Sequence, residues 1–224
     1  MEYRILGQPF CAVEVKLEAG ESMNCQKGAM AWMTSNMVME TKGGGLGKMF
    51  SRAFSGEAMF MNTYRAEKQS GLISFAMTAP GTILPVQITP SRSIIAQKSA
   101  YLASEPGISM SIAFQKKLGS GFFGGEGFIM QRLEGNGTAF LEIDGSVVEY
   151  DLDPGEVMII DTGYLAAMDA TCTMSIETVK GMGNKLLGGE GFFNTKITGP
   201  GHIWLQTMPL SNMASAIASV IPAR

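Results

Sequence analysis

Three glutamates sit in one recurring phrase: a glycine, the glutamate, then small or apolar residues with an aromatic. The copies are Gly56-Glu57-Ala58-Met59-Phe60, Gly125-Glu126-Gly127-Phe128 and Gly189-Glu190-Gly191-Phe192. Glu57, Glu126 and Glu190 are 69 and 64 residues apart. Gathered around an axis, three such carboxylates could bind a cation or a basic partner, because hard cations take oxygen ligands. The structural alternative is that each carboxylate accepts N–H bonds from the adjacent glycine turn. Repetition in all three copies favours the structural role, since a ligand site usually survives in only one or two.

Other chemistry is sparse. The chain has one histidine, His202. A catalytic zinc site or a metal-dependent cupin barrel needs several imidazole, thiolate or carboxylate ligands together. His202 is therefore read as a structural or surface residue, and no metal or cofactor is expected. Cys11, Cys25 and Cys172 show no CxxC spacing and sit in apolar, strand-like surroundings. They read as small core residues in a reduced compartment. No Gly-x-Ser-x-Gly elbow occurs. Gly47-Lys48-Met49 comes nearest to a phosphate loop, and it lacks the Ser or Thr that would hold magnesium. No catalytic constellation emerges, and the expectation is a protein that is not an enzyme.

A loop of lysine, glycine and apolar residues precedes each glutamate phrase. The first is Lys42-Gly43-Gly44-Gly45-Leu46-Gly47-Lys48-Met49-Phe50, with Arg52 and Phe54 just beyond it; the second is Lys116-Lys117-Leu118-Gly119-Ser120-Gly121-Phe122-Phe123; the third is Lys180-Gly181-Met182-Gly183-Asn184-Lys185-Leu186-Leu187. Glycine there also suits tight connections that need positive φ. If three equivalent units close into a ring, their loops share one face. Phe50, Phe54, Phe122, Phe123, Leu186 and Leu187 would then stand inside a basic rim. Apolar tips within a basic rim suit an anionic lipid surface or a protein partner.

The elements that must position these loops are strands. A second marker, Gly20-Glu21, Ser91-Arg92 and Gly155-Glu156, keeps spacings of 71 and 64, as do Gly28, Ser99 and Gly163. Two markers with one period predict three tandem copies. We place them at about 1–75, 76–140 and 141–208, in one domain, followed by a helical tail over 209–224. Turn signals recur every ~8–12 residues, as in a sandwich or barrel. Asp144-Gly145 predicts a hairpin turn, Asp153-Pro154-Gly155 a second turn, and Val157-Met158-Ile159-Ile160 a buried strand. Thr63 to Ser70 reads as a long polar hairpin tip. In the tail, Met213, Ala214, Ile217, Val220 and Ile221 fall near helical spacing, with Ser211 or Asn212 as cap and Pro222 as stop.

Composition bounds the function. Of 224 residues, 46% are hydrophobic and 17% charged, which describes a folded body rather than a disordered chain. The net charge of −3 gives no general attraction to nucleic acid. No stretch reaches the ~18 apolar residues of a spanning helix. Met1-Glu2-Tyr3-Arg4 opens without an apolar run of signal-peptide length. The expected setting is cytoplasmic, with peripheral membrane contact as an option.

The triple Gly-Glu phrase, the Lys/Gly/Phe loops and the Asp-Pro-Gly-Glu turn before Val157 resemble the Aim-twenty-four family, from Tyr3 to about Met208. That family comprises a mitochondrial biogenesis protein and bacterial and archaeal homologues of unknown function. Copy one departs, with Ala58 in place of the second glycine. The resemblance implies an all-β fold similar to the trp RNA-binding attenuation protein. Its units are short sandwiches of double-stranded β-helix type, here three in a pseudo-threefold ring. It implies no catalytic residues. The mitochondrial relative is linked to inner-membrane organisation, which accords with a loop face that contacts membrane or protein. The expectation is a self-associating binding or scaffold module. A cupin-like small-molecule or metal enzyme is the alternative, and an RNA-binding ring the second alternative.

Overall fold

Alternating apolar residues turn most of the chain into short strands: in Val13-Glu14-Val15-Lys16-Leu17, Val13, Val15 and Leu17 are buried while Lys16 is exposed. A computed structural model describes residues 1–40, 61–116, 127–178 and 193–221. The first set of strands is β1 (Glu2–Leu6), β2 (Ala12–Leu17), β3 (Ser22–Gln26), β4 (Met30–Met33), β5 (Met37–Glu40), β6 (Met61–Ala66) and β7 (Gly71–Ala76). The second is β8 (Gly81–Ile88), β9 (Ile94–Gln97), β10 (Tyr101–Ser104), β11 (Ile108–Lys116), β12 (Phe128–Gly135) and β13 (Gly137–Asp144). The third is β14 (Val147–Leu152), β15 (Val157–Asp161), β16 (Leu165–Asp169), β17 (Thr173–Thr178), β18 (Phe193–Thr198) and β19 (Gly201–Gln206). The helix α1 (Leu210–Val220) follows. The fold is nearly all β.

The described strands form four antiparallel sheets, in the orders β1-β2-β7-β4, β5-β6-β3-β10-β13-β8, β11-β12-β9-β16-β19-β14 and β15-β18-β17. The two six-stranded sheets span successive sets. In one, β10 pairs with β3, Ala103 opposite Cys25 and Ser104 opposite Asn24. In the other, β16 pairs with β9, Ala167 opposite Ala96 and Met168 opposite Ile95. No ladder among the described strands joins β4 to β15, so the chain of sheets keeps two free ends.

Local geometry recurs at the spacing of the sequence phrases. Glu21, Arg92 and Glu156 each donate a backbone N–H across a turn, to the carbonyls of Glu18, Thr89 and Asp153, at 2.9, 3.0 and 2.9 Å. Register shifts of bulge type fall between Met30 and Trp32, Tyr101 and Ala103, and Leu165 and Ala167. Three cores follow, each shared by two sheets. The first gathers Val13, Val15, Met23 and Phe75 with Leu102 and Phe140 from the second set. The second joins Ile88, Ile94 and Leu141 to Ala166, Ala167 and Trp204. The third centres on Phe128, Met130, Leu165 and Ile197. All three cysteines are free and buried in these cores, and burial pushes the Cys25 thiol up to about 12.

Several local expectations are corrected. Asp144-Gly145 does turn, with Gly145 at φ +77°, yet the strands it joins lie in different sheets. It is a crossing between sheets, because β13 pairs with β8 and β14 with β19. Thr63 to Ala66 belongs to β6, since Thr63, Tyr64 and Ala66 are buried against neighbouring sheets. The polar tip is therefore confined to 67–70. The run Val157–Ile160 forms a strand, but Val157 and Ile159 are exposed, and no described strand lies beside β15 on its outer edge. Ser211 and Asn212 do not cap α1. The helix starts at Leu210, whose backbone N–H donates to Asp144 Oδ2 at 2.7 Å.

Candidate functional site

A carboxylate inside an apolar strand builds the site. In Ala139-Phe140-Leu141-Glu142-Ile143 every residue is buried, because β13 lies between β10 and β8 and is covered on both faces. Glu142 is 5% exposed. Its Oε2 accepts the Thr78 backbone N–H at 2.8 Å. Burial pushes the carboxyl up to about 7; the Thr78 N–H opposes this and the charge of Asp144 adds to it. Asp144, two residues on, is also raised by burial, against the opposing bond from Leu210 N–H.

Glu142 and Asp144 line a cavity of about 880 Å³ roofed by α1. Gln26, Thr78, Gln97 and Gln206 line it too, and Leu210, Ala214 and Ala218 face it from the helix. The wall is a polar network. Gln206 Nε2 donates to Gly163 O at 2.8 Å and to Gln97 Oε1 at 3.4 Å. Gln206 Oε1 accepts from Asp144 N–H at 3.2 Å. Gln97 and Gln206 thus meet at the joint between the second and third sets. At the joint between the first and second, Gln26 and Glu142 hold the positions 71 and 64 residues earlier. There the match is incomplete: Gln26 Oε1 is buried and has no hydrogen-bond partner. A carboxylate with its proton, or a ligand N–H, would satisfy it.

A second, smaller cavity of about 410 Å³ lies beside His202. His202 Nδ1 is 2.6 Å from Asp151 Oδ1 and Nε2 is 2.8 Å from Glu149 Oε2. Both ring nitrogens donate only in the imidazolium form, so the geometry calls for a charged histidine. Arg92 bonds Asp169 at 3.1 Å and lies 5.6 Å from the centre of the Trp204 ring. Partial burial lowers the His202 pKa, but hydrogen bonds and charge from Asp151 and Glu149 outweigh it, and the net direction is up. A folded pKa above the unfolded one means stabilisation that is complete below about 6.5 and lost as pH rises through the folded value. Because the chain has one histidine, an NMR titration reads it without ambiguity. The expected pKa lies above 6.5, and it falls in Asp151→Asn; an unshifted value in both proteins counts against the bridge.

Most sequence-selected residues lie outside the described residues. These are Lys42, Lys48, Phe50, Arg52, Phe54 and Glu57 in 41–60, then Lys117, Phe122, Phe123 and Glu126 in 117–126. Lys180, Lys185, Leu186, Leu187 and Glu190 in 179–192 complete them. The described strands show only that each segment joins an antiparallel pair: β5 to β6, β11 to β12, and β17 to β18. Lys116 is described, and its Nζ donates to Ile176 O at 2.9 Å, bringing the ends of β11 and β17 together. Sequence reasoning missed the cavity. Its one signal was Glu142, an acid in an otherwise apolar run. Among the described residues no group of three or more His, Cys, Asp or Glu could hold a metal ion. Among them, too, no helix is long and apolar enough to cross a membrane.

Comparison with known proteins bears on the whole chain. An uncharacterized protein of Streptococcus pyogenes serotype M6 is 30% identical over 223 residues, covering 95% of this chain and 88% of the relative. The crystal structure of a Streptococcus pyogenes protein superposes with a TM-score of 0.81 at 26% identity, covering 98% of this chain and 99% of the other. The family described as "Mitochondrial biogenesis AIM24" matches residues 3–208. With that match running from the first strand to just short of α1, the chain belongs to the AIM24 family.

Proposed function

We propose that this chain is a non-catalytic binding protein whose cavity beneath α1 takes a small ligand with a hydrogen-bond-donating head and an apolar body. The observation that carries the reading is the unpartnered Gln26 Oε1. A buried acceptor without a partner costs about 1–3 kcal/mol, and native proteins leave few of them. It shares the cavity with Glu142 and Asp144, both acceptors when ionised, while Leu210, Ala214 and Ala218 supply an apolar side. An amine or ammonium head fits that set better than an anion. The bonds within the Gln97–Gln206 joint leave this second joint as the place where a ligand completes the network.

Octylamine and octanoate, equal in chain length and opposite in head charge, test the reading. At pH 8 octylamine raises the thermal midpoint and titrates calorimetrically, whereas octanoate does neither; Gln26→Leu removes the amine effect. Equal responses to both probes, or an amine response unchanged in Gln26→Leu, refute it.

A second reading has its own support. The Lys116–Ile176 bond puts two of the three hairpin ends side by side, as a shared loop face requires. On this reading the Lys/Gly/Phe loops contact anionic membrane or a protein partner. Co-sedimentation with phosphatidylserine vesicles tests it, with loss on Phe122→Ser/Phe123→Ser expected. Pelleting at the lipid-free background rejects the membrane contact. The cupin-like and RNA-binding alternatives have no comparable observation behind them.

A further inference from the structure

The two free ends of the sheet series are built like the two halves of a joint already made twice. At the made joints, β10 lies on β3 and β16 lies on β9, antiparallel in both. Counting 71 and 64 residues along the chain, β4 stands where β10 and β16 stand, and β15 stands where β3 and β9 stand. The bulge shared by β4, β10 and β16 fixes that correspondence. Yet β4, paired with β7, and β15, paired with β18, are edge strands whose outer sides meet no other described strand.

Exposure shows what is missing. Ala103 and Ala167 are both 0% exposed at the made joints, while the corresponding Trp32 is 48% exposed. Asn24 and Ile95 are 5% and 7% exposed, while the corresponding Ile159 is 63% exposed. Met33 and Val157 are exposed alongside them. An apolar, unpaired edge is a surface that proteins ordinarily cover, twist away or charge. Neither β4 nor β15 contains a lysine, an arginine or a proline.

We propose that β15 of one copy of this chain pairs antiparallel with β4 of another, repeating between chains the joint found twice within one. The register follows from the made joints: Trp32 faces Ile160 of the next copy, Met33 faces Ile159, and Thr34 faces Met158. The second copy is the occupant because the contact continues an interface whose geometry is already present. The contact is heterologous, so successive copies form a ring if the rotation closes and a filament if it does not. This inference is independent of the ligand proposed for the cavity.

Two variants test it. Ile159→Lys puts a charge on an exposed side chain, so the fold is kept while the joint is lost. Light scattering on the wild-type chain then gives a mass at least twofold above that of a single chain, and Ile159→Lys returns it to one. Met33→Cys combined with Ile159→Cys, treated with a short bismaleimide, gives bands of two or more chains on a denaturing gel, and neither single variant does. A wild-type mass of one chain at the highest attainable concentration overturns the proposal. So does cross-linking confined within one chain, which would mean that β4 and β15 meet in the same molecule.

Discussion

Glu142→Gln stabilises this protein at pH 8 and leaves it nearly unchanged at pH 5. Burial pushes the carboxyl up to about 7 in the folded chain, from its ordinary 4.5. Between those values the folded chain binds more protons than the unfolded chain. Stability therefore falls as pH rises from about 4.5 to about 7, and the full penalty holds above. A shift of that size corresponds to about 3 kcal/mol. Glutamine carries no charge to bury. Its Oε1 keeps the acceptor for Thr78 N–H, and its amide can donate to Gln26 Oε1, as Gln206 does to Gln97. In a chain of 224 residues the gain corresponds to a rise of about 6–12 °C in the thermal midpoint. Calorimetry at the two pH values measures it. A variant less stable than wild type at pH 8 would contradict the account of the cavity wall. The same variant also weakens octylamine binding, because it removes the charge the ammonium would meet.

Phe140→Ala costs about 3–5 kcal/mol, the range for truncating a buried aromatic. Phe140 is 0% exposed. It belongs to β13, yet it packs into the first core with Val13, Met23 and Phe75. Its ring meets Tyr3 edge-on at 4.9 Å. The loss therefore removes both core volume and part of the link between the first two sets. Urea denaturation of Phe140→Ala and Tyr3→Ala separates the contributions. Tyr3 is 41% exposed, so its truncation costs much less, with about 0.5–1.5 kcal/mol from the ring pair itself. Equal losses in the two variants would mean that the ring pair, and not the shared core, ties the sets together.

Much of the local structure was legible in the residues. The alternation in Val13-Glu14-Val15-Lys16-Leu17 sets which face of β2 is buried, because successive side chains on a strand point to opposite sides. The turns at Glu21, Arg92 and Glu156 fall on the markers picked out by spacing. Glycine at 145 and 155 marks positive φ, where side chains are strained. The cavity was hidden for a physical reason. Gln26, Thr78, Gln97, Glu142, Asp144 and Gln206 are scattered over 181 positions of the chain, and no short-range pattern ties them together. Only Glu142 carries a local signal, as an acid among apolar neighbours, and a lone acid does not say what faces it.

Residue pattern alone determined that this chain forms short strands and where many of them turn. Tertiary structure decided which strands become neighbours. Ile94-Ile95-Ala96 and Val157-Met158-Ile159-Ile160 read alike as apolar runs, yet the first is buried beside β16 and the second is left at an open edge. A strand's backbone groups can be satisfied by any strand of suitable shape, however distant in the chain. Which one arrives depends on how the sheets stack, and that is a property of the assembled fold.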